Sequence, residues 1–381
     1  MHVSHLTLRD FRSYEAADVQ LQPGVTVFVG LNGQGKTNLV EAVHYLAQQR
    51  SHRVAKDAPL LRAGHDRAIV AARVRWADRE QTVELELNAG RPNRARVGGA
   101  PRRPTEAIGV LRTVLFGPED LALVRGDPGV RRRWCDELLV ALTPRLAGVL
   151  GDYDRIVRQR SALLKTLAAR GRDGASDLAG DGGLAIWDEQ LIEVGAQVAA
   201  ARLGLLESIA APLTRAHQSV APAEAGLRAV YESSWWPLAE PDARPGALRQ
   251  ALADHLARRR PAELARGITL VGPQRDDVAL WLGELPAKGY ASHGESWSIA
   301  LAMRLAAFEV QRDTFTAGGD PVLILDDVFA ELDLQRRERL AAAVRDAEQV
   351  LVTAAVPADV PSSLQGQRFT VTRGTTSEVS A

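Results

Sequence analysis

The 381-residue chain contains one cysteine, Cys135, which excludes an intramolecular disulfide and any cysteine-based zinc cluster. That scarcity fits a reducing cytosol, and the expected place of Cys135 is a buried apolar position. No apolar run approaches the roughly 18 residues that a bilayer span requires, so a membrane subunit is not expected. Arg9, Asp10, Arg12 and Glu15 interrupt the apolar residues near the start, so no secretory signal is expected there and the segment is read as mature protein. Lysine is nearly absent, with Lys36, Lys56, Lys165 and Lys288 only, so almost all positive charge is arginine, as codon bias would give. Net charge is absent as well, 47 basic residues balancing 47 acidic ones, and global electrostatics give no reason to expect a polyanionic partner.

What is present is a globular composition, 46% hydrophobic and 25% charged, in a chain long enough for about two domains. Charge is uneven. Between Arg50 and Arg133 there are 18 Lys plus Arg against 10 Asp plus Glu, a surplus that could contact phosphates or form a solvated basic surface.

Alternation over His2 to Leu8 and again over Val19 to Val29, split by Pro23-Gly24, predicts a sheet edge feeding a buried strand at Val25 to Val29. A helix from about Thr37 carries Leu39, Val40, Val43 and Leu46 on one face. Strand signals follow at Ile69 to Trp76 and Val83 to Leu87. From Gly126 to about Arg266 the periodicity becomes helical, with Pro144 expected to start or bend a helix. A loop is expected at Arg170 to Gly183, a helix at Ile186 to Ile209 and a Pro-containing stretch at Ser233 to Pro245. Strands are expected again at Gly267 to Val271, Val278 to Leu282, Pro321 to Asp327, where the apolar run ends in two carboxylates, and Val350 to Thr353, with a helix over Glu295 to Arg312. The helical middle therefore reads as an insertion in one α/β domain: 1–125 and 266–381 form the discontinuous domain and 126–265 the lobe.

GLNGQGKT, Gly30 to Thr37, matches G-x-x-x-x-G-K-[ST] without departure and lies between a buried strand and a helix. This chain's own residue frequencies give roughly 0.0025 chance matches. Gly30, Leu31, Asn32, Gly33, Gln34 and Gly35 would turn backbone N–H groups onto phosphates, Lys36 would reach the β- and γ-phosphates of ATP, and Thr37 would ligate Mg²⁺. VLILDDVFAELD, Val322 to Asp333, supplies the acidic half: Asp326 for the metal shell and Asp327 as a candidate base for water. The wide separation of the two segments argues against compact GTPases and nucleotide kinases. SHGE, Ser292 to Glu295, precedes a helix, so Ser292 and the Gly294 amide could meet a phosphate there, although Ser is also an ordinary helix cap.

LRDFRSY, GLNGQGKT, SHGE and LILDDVFAELD together resemble the SMC-like branch of the ATP-binding-cassette ATPases. The runs at Ser51 to Pro59, LFGPEDLALV, RRRWCDE and GPQRDD make the RecF family the closest resemblance, over essentially the full length. The resemblance implies an ABC-type P-loop ATPase head with an inserted, mainly α-helical lobe, forming a homodimer on ATP with each nucleotide between one subunit's phosphate loop and the other's signature segment. Ser292 and Gly294 would then act in trans, Arg12 would fall at a phosphate contact and Asp333 at the loop crossing the dimer interface; a surface charge and a helix cap are the plainer alternatives. It further implies a cytoplasmic DNA-repair protein that binds single-stranded, gapped or junction DNA. RecO and RecR would be its partners in loading recombinase, with roles in replication-fork recovery and SOS induction.

Asp327 stands where transporters carry a catalytic Glu and Thr353 where they carry a switch His, so slow, DNA-stimulated hydrolysis below about 10 s⁻¹ is expected. Glu119 occupies the approximate place of a Gln-loop residue. Two alternatives stay open: the ATP subunit of a transporter, which would carry a fuller L-S-G-G-Q signature and a switch His, and a nucleotide-binding scaffold without hydrolysis.

Overall fold

The computed structural model describes residues 1–180, 183–237, 244–315 and 318–379, with backbone alone over 170–180. Along the chain, β1 (His2–Phe11), β2 (Tyr14–Gln20) and β3 (Gly24–Val29) lead into α1 (Lys36–Gln48). Then come β4 (Arg67–Trp76), β5 (Arg79–Asn88), β6 (Arg94–Val97), β7 (Ala100–Arg102), the short α2 (Pro104–Ala107), β8 (Thr113–Phe116) and α3 (Leu121–Arg125). The helical middle holds α4 (Pro128–Leu142), α5 (Leu146–Gly180), α6 (Gly183–Val220), β9 (Leu227–Glu232) and α7 (Pro245–Arg266). Next are β10 (Asp277–Leu282), β11 (Leu285–Pro286), α8 (Ala287–Tyr290) and α9 (His293–Thr314). The chain closes with β12 (Val322–Asp326), α10 (Leu334–Val344), β13 (Gln349–Ala354), β14 (Gly366–Thr372) and β15 (Thr375–Glu378).

The contacts divide the chain into two compact units: Met1–Arg125 with Ala211–Leu227 and Tyr290–Ala381, and Gly126–Ala210 with Arg228–Gly289. In the first unit, one sheet runs β2-β1-β4-β5-β6-β7 and is antiparallel throughout. Its alternation is that of a half-buried sheet: Val3, Leu6, Leu8, Ala68, Val70, Ala72 and Val74 face inward. The other sheet runs β15-β14-β3-β13-β12-β8, with β14, β3, β13, β12 and β8 mutually parallel. Its central strands β12 and β13 are buried at every residue, which is why they read as continuous apolar runs rather than alternation. Helix α1 packs against both sheets, and Leu39, Val40, Val43 and Leu46 join the core between them.

The second unit has its own core, in which Tyr153, Ile156, Leu191, Trp235, Leu248 and Leu252 pack together, and a small sheet β11-β10-β9. Arg160 is fully buried there, held by Asp188 at 2.8 Å, Thr269 at 3.1 Å and Glu263. Cys135 is buried, and burial pushes its thiol up to about 12.

Four expectations need correction. The lobe is not 126–265: Ala211–Leu227 belongs with the first unit, because Arg215 pairs with Glu309 and Glu224 accepts from Ser298 and Arg336. Residues 266–289 belong with the second, because Arg131 holds Asp277 and β10 joins β9. The loop expected at 170–183 is helix as far as Gly180, Asp181 and Gly182 lying outside the described residues. No strand forms at Gly267–Val271; Gly267 ends α7 in a left-handed conformation (φ 64°), and Leu270 and Val271 are apolar because they pack on the core. Of the stretch Ser233–Pro245, residues 238–243 lie outside the described ones. Helix α6 is long and apolar enough, over an 18-residue window, to cross a membrane by length and composition, yet Leu191, Ala196, Ala199 and Ile209 on it are buried within the protein.

Candidate functional site

Parallel strands deliver their carboxyl ends to one edge of a sheet, where α/β proteins place ligands. Here β3 ends at Val29 opposite Ala354 of β13, Thr353 pairs with Asp326 at the end of β12, and Leu325 pairs with Phe116 of β8. The segments Gly30–Thr37, Asp326–Asp327 and Gly117–Asp120 therefore share one edge.

Gly30 passes so close to β14 that a Cβ on it would lie 2.3 Å from the Val371 carbonyl oxygen. Gly35 is the N-cap of α1 at φ 112°, a conformation L side chains rarely adopt, and no side chain caps the helix. The amides of Asn38 and Leu39 bond back to the Gly35 carbonyl, at 3.0 and 3.4 Å, and those of Lys36 and Thr37 are left for a ligand, as at anion-binding helix N-termini. Leu31, Asn32 and Gly33 are exposed, while Gln34 fastens the loop by accepting from the Arg373 amide at 2.8 Å. Lys36 is only 3% exposed, and its ammonium makes one long contact, 3.4 Å to the Leu31 carbonyl. A buried cation with spare donors beside open amides fits a polyphosphate.

The Thr37 hydroxyl donates to Asp326 Oδ1 at 2.9 Å, joining two motifs 289 residues apart. Thr353 donates to the same oxygen at 2.7 Å and accepts from the Asp327 amide at 2.9 Å. Hydroxyl and carboxylate oxygens are the ligands Mg²⁺ takes, and among the described residues no group of three or more His, Cys, Asp or Glu is arranged to hold a metal ion by itself. Asp327 adopts φ 50°, and burial raises its carboxyl above the usual range, opposed by the Lys36 charge.

Ser292 caps α9, accepting from the Glu295 amide at 3.2 Å while Glu295 reaches back to the Ser292 amide at 2.8 Å. Gly294 lies against the Arg336 guanidinium, 3.0 Å from where a Cβ would stand. Asp333 caps α10 through the Arg336 amide at 2.8 Å. Among the described residues, no hydrogen bond or ion pair joins Ser292, Gly294 or Asp333 to Gly30–Thr37.

Arg12 commits three of its five N–H donors within the subunit. Its fork grips the fully buried Glu41, Nε at 2.9 Å and Nη2 at 2.6 Å, and Nη1 donates to the Pro59 carbonyl at 2.9 Å. Glu119 is exposed in the loop after β8, and its neighbour Asp120 turns inward to Arg304 at 2.6 Å. The arginine surplus is partly cancelled across strands: Glu80 faces Arg73 and Arg75, Glu84 faces Arg96, and Glu86 faces Arg67 and Arg94. Arg91, Arg102 and Arg103, by contrast, are exposed beyond these pairs. Two residues at the site were missed from sequence: Thr353 as a brace, and His52, whose imidazole Nε2 lies 3.7 Å from Asp326 Oδ2. A lone His among Ser and Arg gives no signal by spacing.

Residues 2–373 match the family model described as the RecF/RecN/SMC N terminal domain. The DNA replication and repair protein RecF of Streptomyces avermitilis is 54% identical over 383 residues, covering 100% of both chains. That of Kineococcus radiotolerans is 54% identical with 98% of each chain covered. The chain belongs to the RecF family. Solved structures of the recombination mediator protein RecF in the RecFOR pathway, RecF-ATPrS and RecF-ATP, superpose with TM-score 0.88 at 26% identity, covering 100% of this chain and 98% of theirs. An Smc head domain from Pyrococcus furiosus, at TM-score 0.55 and 16% identity, shares the fold. The RecF-type fold, an ABC-ATPase head with a helical lobe, is therefore the architecture described above, and the transporter subunit left open by the sequence is set aside.

Proposed function

We propose that this chain is an ATP-dependent DNA-binding repair protein that forms a homodimer on ATP at gaps and single-strand to double-strand junctions. The observation that carries the reading is the Thr37–Asp326 hydrogen bond, which brings phosphate loop and acidic strand end into one site. The amides of Gly30–Gly35 with Lys36 would hold the phosphates, and Thr37 and Asp326 would hold Mg²⁺, which when bound supplies charge neutralisation for the transferred phosphoryl group. Asp327 would accept a proton from water.

Ser292 and Gly294 would complete the site of a second copy. Supporting this, four exposed large apolar side chains of the first unit lie within three positions in sequence of these motifs or of the end of β13: Leu31 (71%), Tyr290 (66%), Leu334 (76%) and Val356 (46%). Exposed apolar side chains beside such motifs suit a partner surface. Arg91, Arg102 and Arg103 offer cations for DNA phosphates. RecO and RecR as partners, recombinase loading, fork recovery, SOS induction and a cytoplasmic setting follow from the family resemblance.

Titration with a fluorescent ATP analogue and Mg²⁺ tests the site. Lys36→Met should weaken binding by about 10- to 100-fold, the range of a lost charge-assisted hydrogen bond. Gapped DNA should be held more tightly with ATP, less so as salt rises, and this ATP effect should vanish in Lys36→Met. Equal nucleotide binding by both proteins contradicts the reading.

A further inference from the structure

Helix α1 ends at Gln48 and is capped by Gln49, whose left-handed conformation (φ 53°) turns the chain into the loop that carries His52. The loop that follows is pinned. The Ser51 hydroxyl accepts from the amides of Arg53 at 3.0 Å and Val54 at 3.1 Å and donates to Glu41. Glu41 in turn is clamped by Arg12. The Arg12–Glu41 pair thus serves the site indirectly, by fixing the segment that carries His52.

His52 is nine-tenths buried, with its side chain 10% exposed, and neither ring nitrogen has a hydrogen-bond partner. Its Nε2 is 3.7 Å from Asp326 Oδ2, beyond hydrogen-bond reach. The other Asp326 oxygen, Oδ1, already takes the hydroxyls of Thr37 and Thr353. The His44 ring stands edge-on to His52 at 5.9 Å, with its Nδ1 on the Thr113 hydroxyl at 2.9 Å, and makes no hydrogen bond to either His52 nitrogen. An imidazole with two buried, unpaired nitrogens is costly, and such an orphan calls for a ligand.

We infer that His52 is a positioning residue for the terminal phosphate, its ring N–H donating to a γ-phosphate oxygen of ATP bound beside Asp326. The inference rests on the ATP reading given above and deepens it. It supplies from the loop after α1 an imidazole that β13 lacks, since Thr353 occupies the strand end beside Asp326. ADP has no atom to satisfy the ring, so the loop at 51–54 would distinguish the two nucleotides.

The test compares affinities for Mg·ATPγS and Mg·ADP in wild type, His52→Phe, His52→Gln and Lys36→Met, with folding checked by circular dichroism. Phe keeps the shape and removes the donor; Gln returns a donor. His52→Phe should lose about tenfold for ATPγS and little for ADP, and Gln should recover part of the loss. In parallel, the ring ¹⁵N resonances of His52 in the wild-type protein should move with ATPγS and stay with ADP, a readout that holds even if the Phe variant misfolds. An unchanged ATPγS-to-ADP preference in His52→Phe, equal losses for both nucleotides, or a His52 resonance indifferent to ATPγS would each overturn the inference. Absence of nucleotide binding by wild type would instead overturn the ATP reading itself.

Discussion

Thr353 shows how one hydroxyl can organise a site. Its hydroxyl donates to Asp326 and accepts from the Asp327 amide, so it fixes the Asp326 carboxylate and the left-handed backbone of Asp327. Replacing it by Val should leave the buried Asp327 N–H unpaired and remove one donor from Asp326, at a cost of about 1–3 kcal/mol. Urea denaturation measures this; an unchanged midpoint would contradict the bracing role. The sequence made Lys36, Thr37 and Asp326 legible because each belongs to a local pattern with a chemical reason. Thr353 was legible only as a departure from another family, and His52 only as part of the Ser51 to Pro59 run, without a role, because its significance comes from its approach to Asp326, 274 positions away in the chain. Arg12 illustrates the converse: a plausible phosphate contact by position, it spends its fork on Glu41, and no sequence spacing pairs those two residues.

At the scale of elements, the continuous apolar runs of β12 and β13 and the one-sided face of α1 were readable, since full burial and helical periodicity leave strong traces. Gly, Asp and Ser over 170–180 suggested a loop, but α5 continues through them; local propensity is a weak prior against the rest of a 35-residue helix. β9 was hidden in a helical region because a six-residue strand has too few turns of pattern to announce itself. Its hydrogen-bonded neighbourhood carries a consequence for pH. Asp276 accepts from Tyr231 at 2.6 Å and Trp235 at 3.0 Å, and burial pushes its carboxyl up to about 6 from an ordinary 3.8. A carboxyl raised by folding binds its proton more tightly in the native state, so stability is lost as pH rises through that window. Between about pH 4 and 6, wild type should lose up to about 3 kcal/mol relative to Asp276→Asn. Parallel denaturation curves for the two proteins across that range would contradict it.

At the scale of the molecule, the signature segment is mechanically tied to the rest of the first unit. Arg336 of α10 packs on Gly294, donates to Ser298 of α9 at 3.2 Å and pairs with Glu224 at 3.2 Å. Movement at Ser292 would therefore be felt at Asp333, which caps the helix bearing Arg336. The discontinuous organisation was legible from the 289-residue gap between Thr37 and Asp326, whereas the return of 211–227 to the first unit was not. Helix α6 runs unbroken past Ala210, so no composition shift marks the division.

The central claim is that the phosphate loop is half of a composite site completed by Ser292 of a second copy. Sedimentation velocity with Mg·ATPγS tests it most directly, using wild type, Lys36→Met and Ser292→Arg, with nucleotide occupancy measured on the same samples. Wild type should shift from monomer to dimer with ATPγS, Lys36→Met should remain monomeric, and Ser292→Arg should bind nucleotide yet stay monomeric. A wild type that is saturated with ATPγS and still monomeric, or a Ser292→Arg protein that dimerises as wild type does, would contradict the account.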